Sequence, residues 1–144
     1  MSYEVKRINP FWHTHPMIPT AVAVGAILGL VGYRMSSAII SGIGGLVAAG
    51  AILFAARPVL SALLGTLGLL GGLAQFVVIP NMNSASMSMP MRLGAAVLFG
   101  LFYMVLMDAL VLVVSVLYNL FAGAIGLGGL RLELESVEDQ EPAA

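Results

Sequence analysis

From Met17 to Ile125 the chain carries only four charged residues, Arg34, Arg57, Arg92 and Asp108. That spacing of charges constrains the fold more than any motif. A helix rises ~1.5 Å per residue, so ~20 apolar residues cross ~30 Å of hydrocarbon. Arg34 and the Arg57-Pro58 pair cut off two pieces of about that length, and the Pro- and Ser-rich stretch before Arg92 divides the remainder. The composition agrees, with 60% hydrophobic and 9% charged residues in a chain of 144. Soluble domains average ~25% charged residues, and one this small leaves much of its surface exposed. The expected fold class is an all-α membrane protein with about four transmembrane helices, near residues 17–33, 35–56, 59–79 and 92–125. The runner-up is two crossings with a re-entrant or surface-lying middle.

Residues 1–16 form a polar and aromatic segment before the bundle of residues 17–127. Pro10, Pro16 and Pro19 keep helix out of it, and Phe11 and Trp12 suit the headgroup layer. No cleavable leader is expected, because the first apolar stretch follows a polar segment. Pro58, after Arg57, suits the first turn of a helix. Residues 80–91, PNMNSASMSMPM, read as the clearest loop. The last apolar run, from Leu93 to about Ile125, is long for one crossing and must tilt, kink or project into water.

Both ends alternate apolar and polar residues. Tyr3-Glu4-Val5-Lys6 does so, and so does Leu130-Arg131-Leu132-Glu133-Leu134-Glu135. An isolated strand leaves its backbone groups unpaired, so the two short strands (the second within residues 128–135) are expected to pair. Lys6 and Arg7 would then face Glu133 and Glu135. Pairing puts both termini on one side, hence an even number of crossings. Four spans place Lys6, Arg7, Arg57 and Arg131 together and Arg34 and Arg92 opposite, which favours cytoplasmic termini in a cell membrane. Residues 136–144 read as a disordered acidic tail.

Lipid supplies little hydrophobic drive between helices, so small residues mark the seams. Gly25 and Gly29, then Ser41, Gly45 and Ala49, then Gly68 and Gly72 are spaced for this. Close packing within one chain is the expectation, with a homo-oligomer seam as the alternative.

Three groups of residues bear on function. Asp108 lies near the middle of the last span, and Ser115 and Asn119 fall within about 20° of it on a helix. A mid-bilayer carboxylate costs several kcal/mol unless paired or protonated. The stripe is a candidate proton or cation site, or else a hydrogen bond to a neighbouring helix through Thr66 or Ser61. Second, Met82, Met87, Met89 and Met91 bring soft thioethers to the loop, with Met87, Met89 and Met91 a candidate Cu(I) site. In a four-span topology His13 and His15 lie on the other face and cannot join it. Third, Leu130, Leu132 and Leu134 are a candidate docking strand for a membrane or cytoplasmic protein partner. Tyr103 and Tyr118 read as packing and interface anchors. No phosphate loop, zinc motif or catalytic triad is present, and there is no Cys. The sequence therefore predicts no enzyme, no cofactor and no nucleic-acid partner.

Lys6-Arg7-Ile8-Asn9-Pro10 at one end, and Tyr118, Asn119, Ala122, Gly128, Gly129 and Leu130 at the other, resemble a family of small uncharacterised prokaryotic (archaeal and actinobacterial) membrane proteins. The resemblance covers about a third of the chain. It implies an opening strand that ends in Lys/Arg-Ile-Asn/Asp-Pro, a few crossings (commonly two), and a closing helix ending in Tyr-Asn before Gly-Gly and a strand. The chain departs from that pattern in having about two extra residues between Ala122 and the Gly pair. It also has a longer apolar middle, as from an inserted pair of helices. The resemblance implies a cell-membrane protein without enzymatic activity. It leaves three readings of function: an accessory or scaffold subunit, a small transporter or channel using the Asp108 stripe, and Cu(I) handling.

Overall fold

The computed structural model describes residues 2–5, 7–125 and 130–133. Lys6, Gly128, Gly129, Leu134, Glu135 and the acidic tail lie outside the described residues. The elements in order are β1 (Ser2–Val5), α1 (Met17–Arg34), α2 (Ala38–Ala55), α3 (Pro58–Leu73), α4 (Met82–Ala85), α5 (Met89–Asn119) and β2 (Leu130–Glu133). A π-helical turn extends α3 over Ala74–Val78, and another extends α5 over Leu120–Ala124. Four of these helices are long and apolar enough to cross a membrane: Met17–Arg34, Ala38–Ala55, Pro58–Val78 and Met89–Gly123. This is the arrangement expected of a multi-pass membrane protein. The chain divides into two compact units, Pro10–Leu112, and Met1–Asn9 with Val113–Ala144.

The pattern of burial inverts that of a soluble protein. Fully buried positions include Ala55, Ala56 and Ala96, while Leu46, Phe102 and many other large apolar side chains face outward. Small residues let backbones touch, and the large ones are left for lipid.

α1 and α2 form an antiparallel hairpin whose seam is almost all backbone. A Cβ added at Gly25 would lie 2.6 Å from Ala48 N and 2.8 Å from Gly44 O. One added at Gly44 would strike Gly29 N, and one at Gly32 would strike Ser41 N. Ser41 Oγ donates to Gly29 O at 3.4 Å. As positions rise along α1 (25, 29, 32), their partners fall along α2 (48, 44, 41). The seam on α2 is therefore Ser41, Gly44 and Ala48. The expected Gly45 and Ala49 are one position off, and a Cβ at Gly45 would meet open space. Small residues occupy both of those neighbouring positions, so composition cannot tell one face from the next. The turn between the helices is tight. Ser36 has φ 53°, and Ser37 caps α2 by accepting from Ile40 N–H, which is why α2 starts at Ala38 rather than Met35.

α3 and α5 make a second antiparallel seam. A Cβ at Gly72 would lie 2.6 Å from Ala96 O, and one at Gly68 2.9 Å from Gly100 O. Gly65 faces the Met104 side chain. Phe76, Phe99 and Tyr103 form a short ladder of rings at 6.1 and 6.4 Å.

Between these helices the expected loop is partly ordered. Asn81 Oδ1 accepts from Ser84 N–H and caps the single turn α4. Arg92 donates to Ala85 O at 2.6 Å and to Met87 O at 3.1 Å, closing the following turn. α5 then starts at Met89, earlier than expected, because Pro90 falls in its first turn, where a missing N–H breaks no helical bond.

β1 and β2 pair antiparallel, with Ser2 opposite Glu133, Tyr3 opposite Leu132, Glu4 opposite Arg131 and Val5 opposite Leu130. Lys6 and Arg7 were expected to face Glu133 and Glu135; Glu133 instead lies opposite Ser2, while Lys6 and Glu135 are outside the described residues.

Gly44→Val should lower the detergent melting temperature by the equivalent of about 1–3 kcal/mol, through forced separation of the α1 and α2 backbones. Gly45→Ala should stay within about 0.5 kcal/mol of wild type. Equal effects at the two positions would contradict the assigned seam.

Candidate functional site

The α3–α5 seam holds one carboxyl. Asp108 is fully buried, and its Oδ2 accepts from Ser61 Oγ at 2.6 Å. Its Oδ1 is buried and has no hydrogen-bond partner among the described residues. Of the two expected partners Ser61 is therefore the one used, while Thr66 donates to Ala62 O within its own helix. Ser61 lies in the first turn of α3, so Asp108 sits at the level of the α2–α3 elbow. The sequence placed it mid-bilayer by counting along α5. That helix has 31 residues, ~46 Å, so its midpoint need not be the midpoint of a ~30 Å hydrocarbon layer. A buried carboxyl with one uncommitted oxygen has the chemistry to hold a proton or a small cation.

The other members of the stripe are used differently. Ser115 is buried at 4% exposure. Asn119 holds main chain: its Oδ1 accepts from Ile8 N–H at 2.8 Å, and its Nδ2 donates to Ile8 O at 2.8 Å. One side-chain amide thus satisfies both backbone groups of one residue, as a neighbouring strand would. The amide orientation follows from this bonding pattern. The preceding residue, Tyr118, donates its hydroxyl to Val5 O at 2.5 Å. Consecutive residues at the end of α5 therefore clamp the segment between β1 and the first prolines. From the sequence Tyr118 reads as a packing and interface anchor and Asn119 as part of a polar stripe, and neither reading contains the clamp. The available signal was that Tyr118-Asn119 and the Ile8-Asn9 segment carry the same family resemblance from opposite ends.

A second junction forms where α2 turns into α3. Phe11 and Ala56 make an antiparallel bridge, with Trp12 N–H donating to Ala55 O at 2.7 Å and Arg57 N–H donating to Pro10 O at 3.1 Å. His13 stacks on Phe54 with ring centroids 4.3 Å apart, and its Nδ1 lies 3.3 Å from Phe54 O. His15 Nδ1 accepts from Met17 N–H at 3.3 Å, at the start of α1. The two histidines therefore serve different backbones.

The methionines do not converge. Met89 and Met91 are exposed in the first turn of α5, and residues two apart on a helix point away from each other. Met87 precedes the helix, and Met82 lies exposed in α4. Among the described residues no cluster of three His, Asp or Glu side chains is placed to hold a metal ion. Leu130 and Leu132 lie in β2, while Leu134 is outside the described residues.

Comparison of the chain with family models, with curated proteins and with solved structures finds no match.

Asn119→Ala should leave both part-buried backbone groups of Ile8 without that side chain's hydrogen bonds, at about 0.5–1.5 kcal/mol for each. Hydrogen–deuterium exchange at the Ile8 amide is expected to accelerate, with little change at Trp12 N–H, which is bonded to Ala55. Ser61→Ala should lower the melting temperature by a similar amount, because it strips Asp108 of its hydrogen bond. An unchanged melting temperature would show that the bond adds nothing to the seam.

Proposed function

We propose that the chain is a non-enzymatic accessory or scaffold subunit of a membrane assembly, docking a protein partner through the strand pair formed by its termini on the cytoplasmic face. The observation that carries this reading is the clamp of Tyr118 and Asn119 on the Val5 and Ile8 backbone. It uses the C-terminal end of α5 to hold the segment that follows the short strand β1. A two-stranded ladder uses one edge of each strand, and no third strand pairs with either among the described residues. Such an edge offers main-chain hydrogen bonds to an extended segment of a partner. Affinity purification from native membranes in mild detergent tests this. The wild-type chain should bring down a stoichiometric partner, and Leu132→Glu or Asn119→Ala should lose it while the helices stay folded. A chain that arrives alone, or a partner retained by both variants, would reject the docking role.

A second reading has its own support in the unpartnered Oδ1 of Asp108: a small transporter or channel that takes a proton or cation at the α3–α5 seam. In reconstituted vesicles this reading expects flux that Asp108→Asn abolishes and Leu132→Glu leaves intact. The scaffold reading expects no flux from either protein.

A further inference from the structure

The α2–α3 elbow has a property that neither reading uses. Only two residues, Ala56 and Arg57, separate two helices that are each long and apolar enough to cross a membrane. Arg57 is therefore held at the boundary of the hydrocarbon, with no loop to carry it away. Its backbone is tied down as well, by the bond from its N–H to Pro10 O and by the bridge between Phe11 and Ala56. That bridge brings Trp12, 61% exposed, to the same elbow. The rings of His13 and Phe54 stack beside it, with Trp12 edge-on to His13 at 6.0 Å.

The guanidinium is uncommitted. Arg57 is exposed, and among the described residues its side chain has no hydrogen bond or ion pair. Arg92 contrasts with it, since its guanidinium is held by Ala85 O and Met87 O. No carboxylate is available to neutralise Arg57 from within its own unit. The only acid between Pro10 and Leu112 is Asp108, which is fully buried and bonded to Ser61. A planar guanidinium presents paired N–H donors that match phosphate oxygens, and an indole is favoured beside it at headgroup depth.

We propose that Arg57, with Trp12 and His13 as its rim, is a binding site for the phosphate of an anionic phospholipid. The acyl chains would lie along the outward apolar side chains of α2 and α3, where Phe54, Val59 and Leu63 are exposed. The inference rests on the helices spanning a membrane and is independent of any docking by the terminal strands.

The test uses the full chain in detergent, titrated with phosphatidylglycerol or phosphatidylcholine and read by native mass spectrometry. Wild type should retain one phosphatidylglycerol in preference to phosphatidylcholine. Arg57→Gln should weaken that binding about fivefold, the effect of one cation close to an anionic surface. The Arg57 contacts that shape the elbow are made by main chain, so this variant should keep the wild-type circular dichroism. Arg57→Lys, which keeps the charge and loses the paired donors, should fall between the two. Arg34→Gln removes an exposed arginine from the end of α1 and should bind as wild type does. Equal losses from Arg34→Gln and Arg57→Gln would mean general attraction to anionic lipid and would overturn the site. So would equal retention of the two lipids, or an Arg57→Gln protein that binds as wild type. Displacement of the lipid by millimolar inorganic phosphate would reassign the site to free phosphate.

Discussion

Backbone-to-backbone contact at glycine holds each helix pair together. In lipid the burial of a leucine against another helix gains little, because the hydrocarbon it leaves is as apolar as the surface it meets. What remains is close packing, which needs backbones near one another. Gly25, Gly32 and Gly44 permit it between α1 and α2, and Gly68 and Gly72 between α3 and α5. Added methyl groups at these positions would strike main-chain atoms, which cannot move aside as a flexible side chain can. Once the seams are set, Asp108 is brought onto Ser61, and Arg92 is left free to close the turn that starts α5.

Polar side chains then finish what the helices leave open. Ser37 and Asn81 cap helix starts, and Arg92 takes two carbonyls at the entry to α5. Asn119 supplies both partners for Ile8, and Tyr118 takes Val5 O. Each use answers the same demand, that backbone groups away from water find partners in protein. Two polar features escape that pattern. Among the described residues Asp108 Oδ1 has no hydrogen-bond partner inside the seam, and the Arg57 guanidinium has none at the elbow. The transport reading rests on the first of these and the lipid site on the second. The scaffold reading rests instead on the clamp, where every polar atom named has a partner.

The candidate site was legible only in part. Asp108 stands out in any reading as the one acid in a long apolar stretch, and Ser61 was among its expected partners. Its depth was not legible, because a helix longer than the bilayer has no fixed midpoint in it. Helical periodicity lines Asn119 up with Asp108 in the sequence, but it does not tell that the Ile8 backbone is what reaches Asn119. Arg57 was counted as a topology marker. Its role at the elbow needed Pro10–Trp12 to fold back across the α2–α3 turn, a contact of more than forty residues in sequence that no local pattern encodes.

Spacing of charge along the chain was enough to define four apolar helices, because length and hydropathy are local properties and lipid tolerates few backbone conformations. Small-residue spacing was likewise enough to mark α3's seam at Gly68 and Gly72. Which of two adjacent small faces α2 presents to α1 was settled only by packing, since Gly44 and Gly45 are identical in composition and differ by ~100° in direction. The register of the terminal strands was settled the same way. Charge alternation fits several registers about equally well, and the folded chain takes the one with Ser2–Val5 opposite Leu130–Glu133.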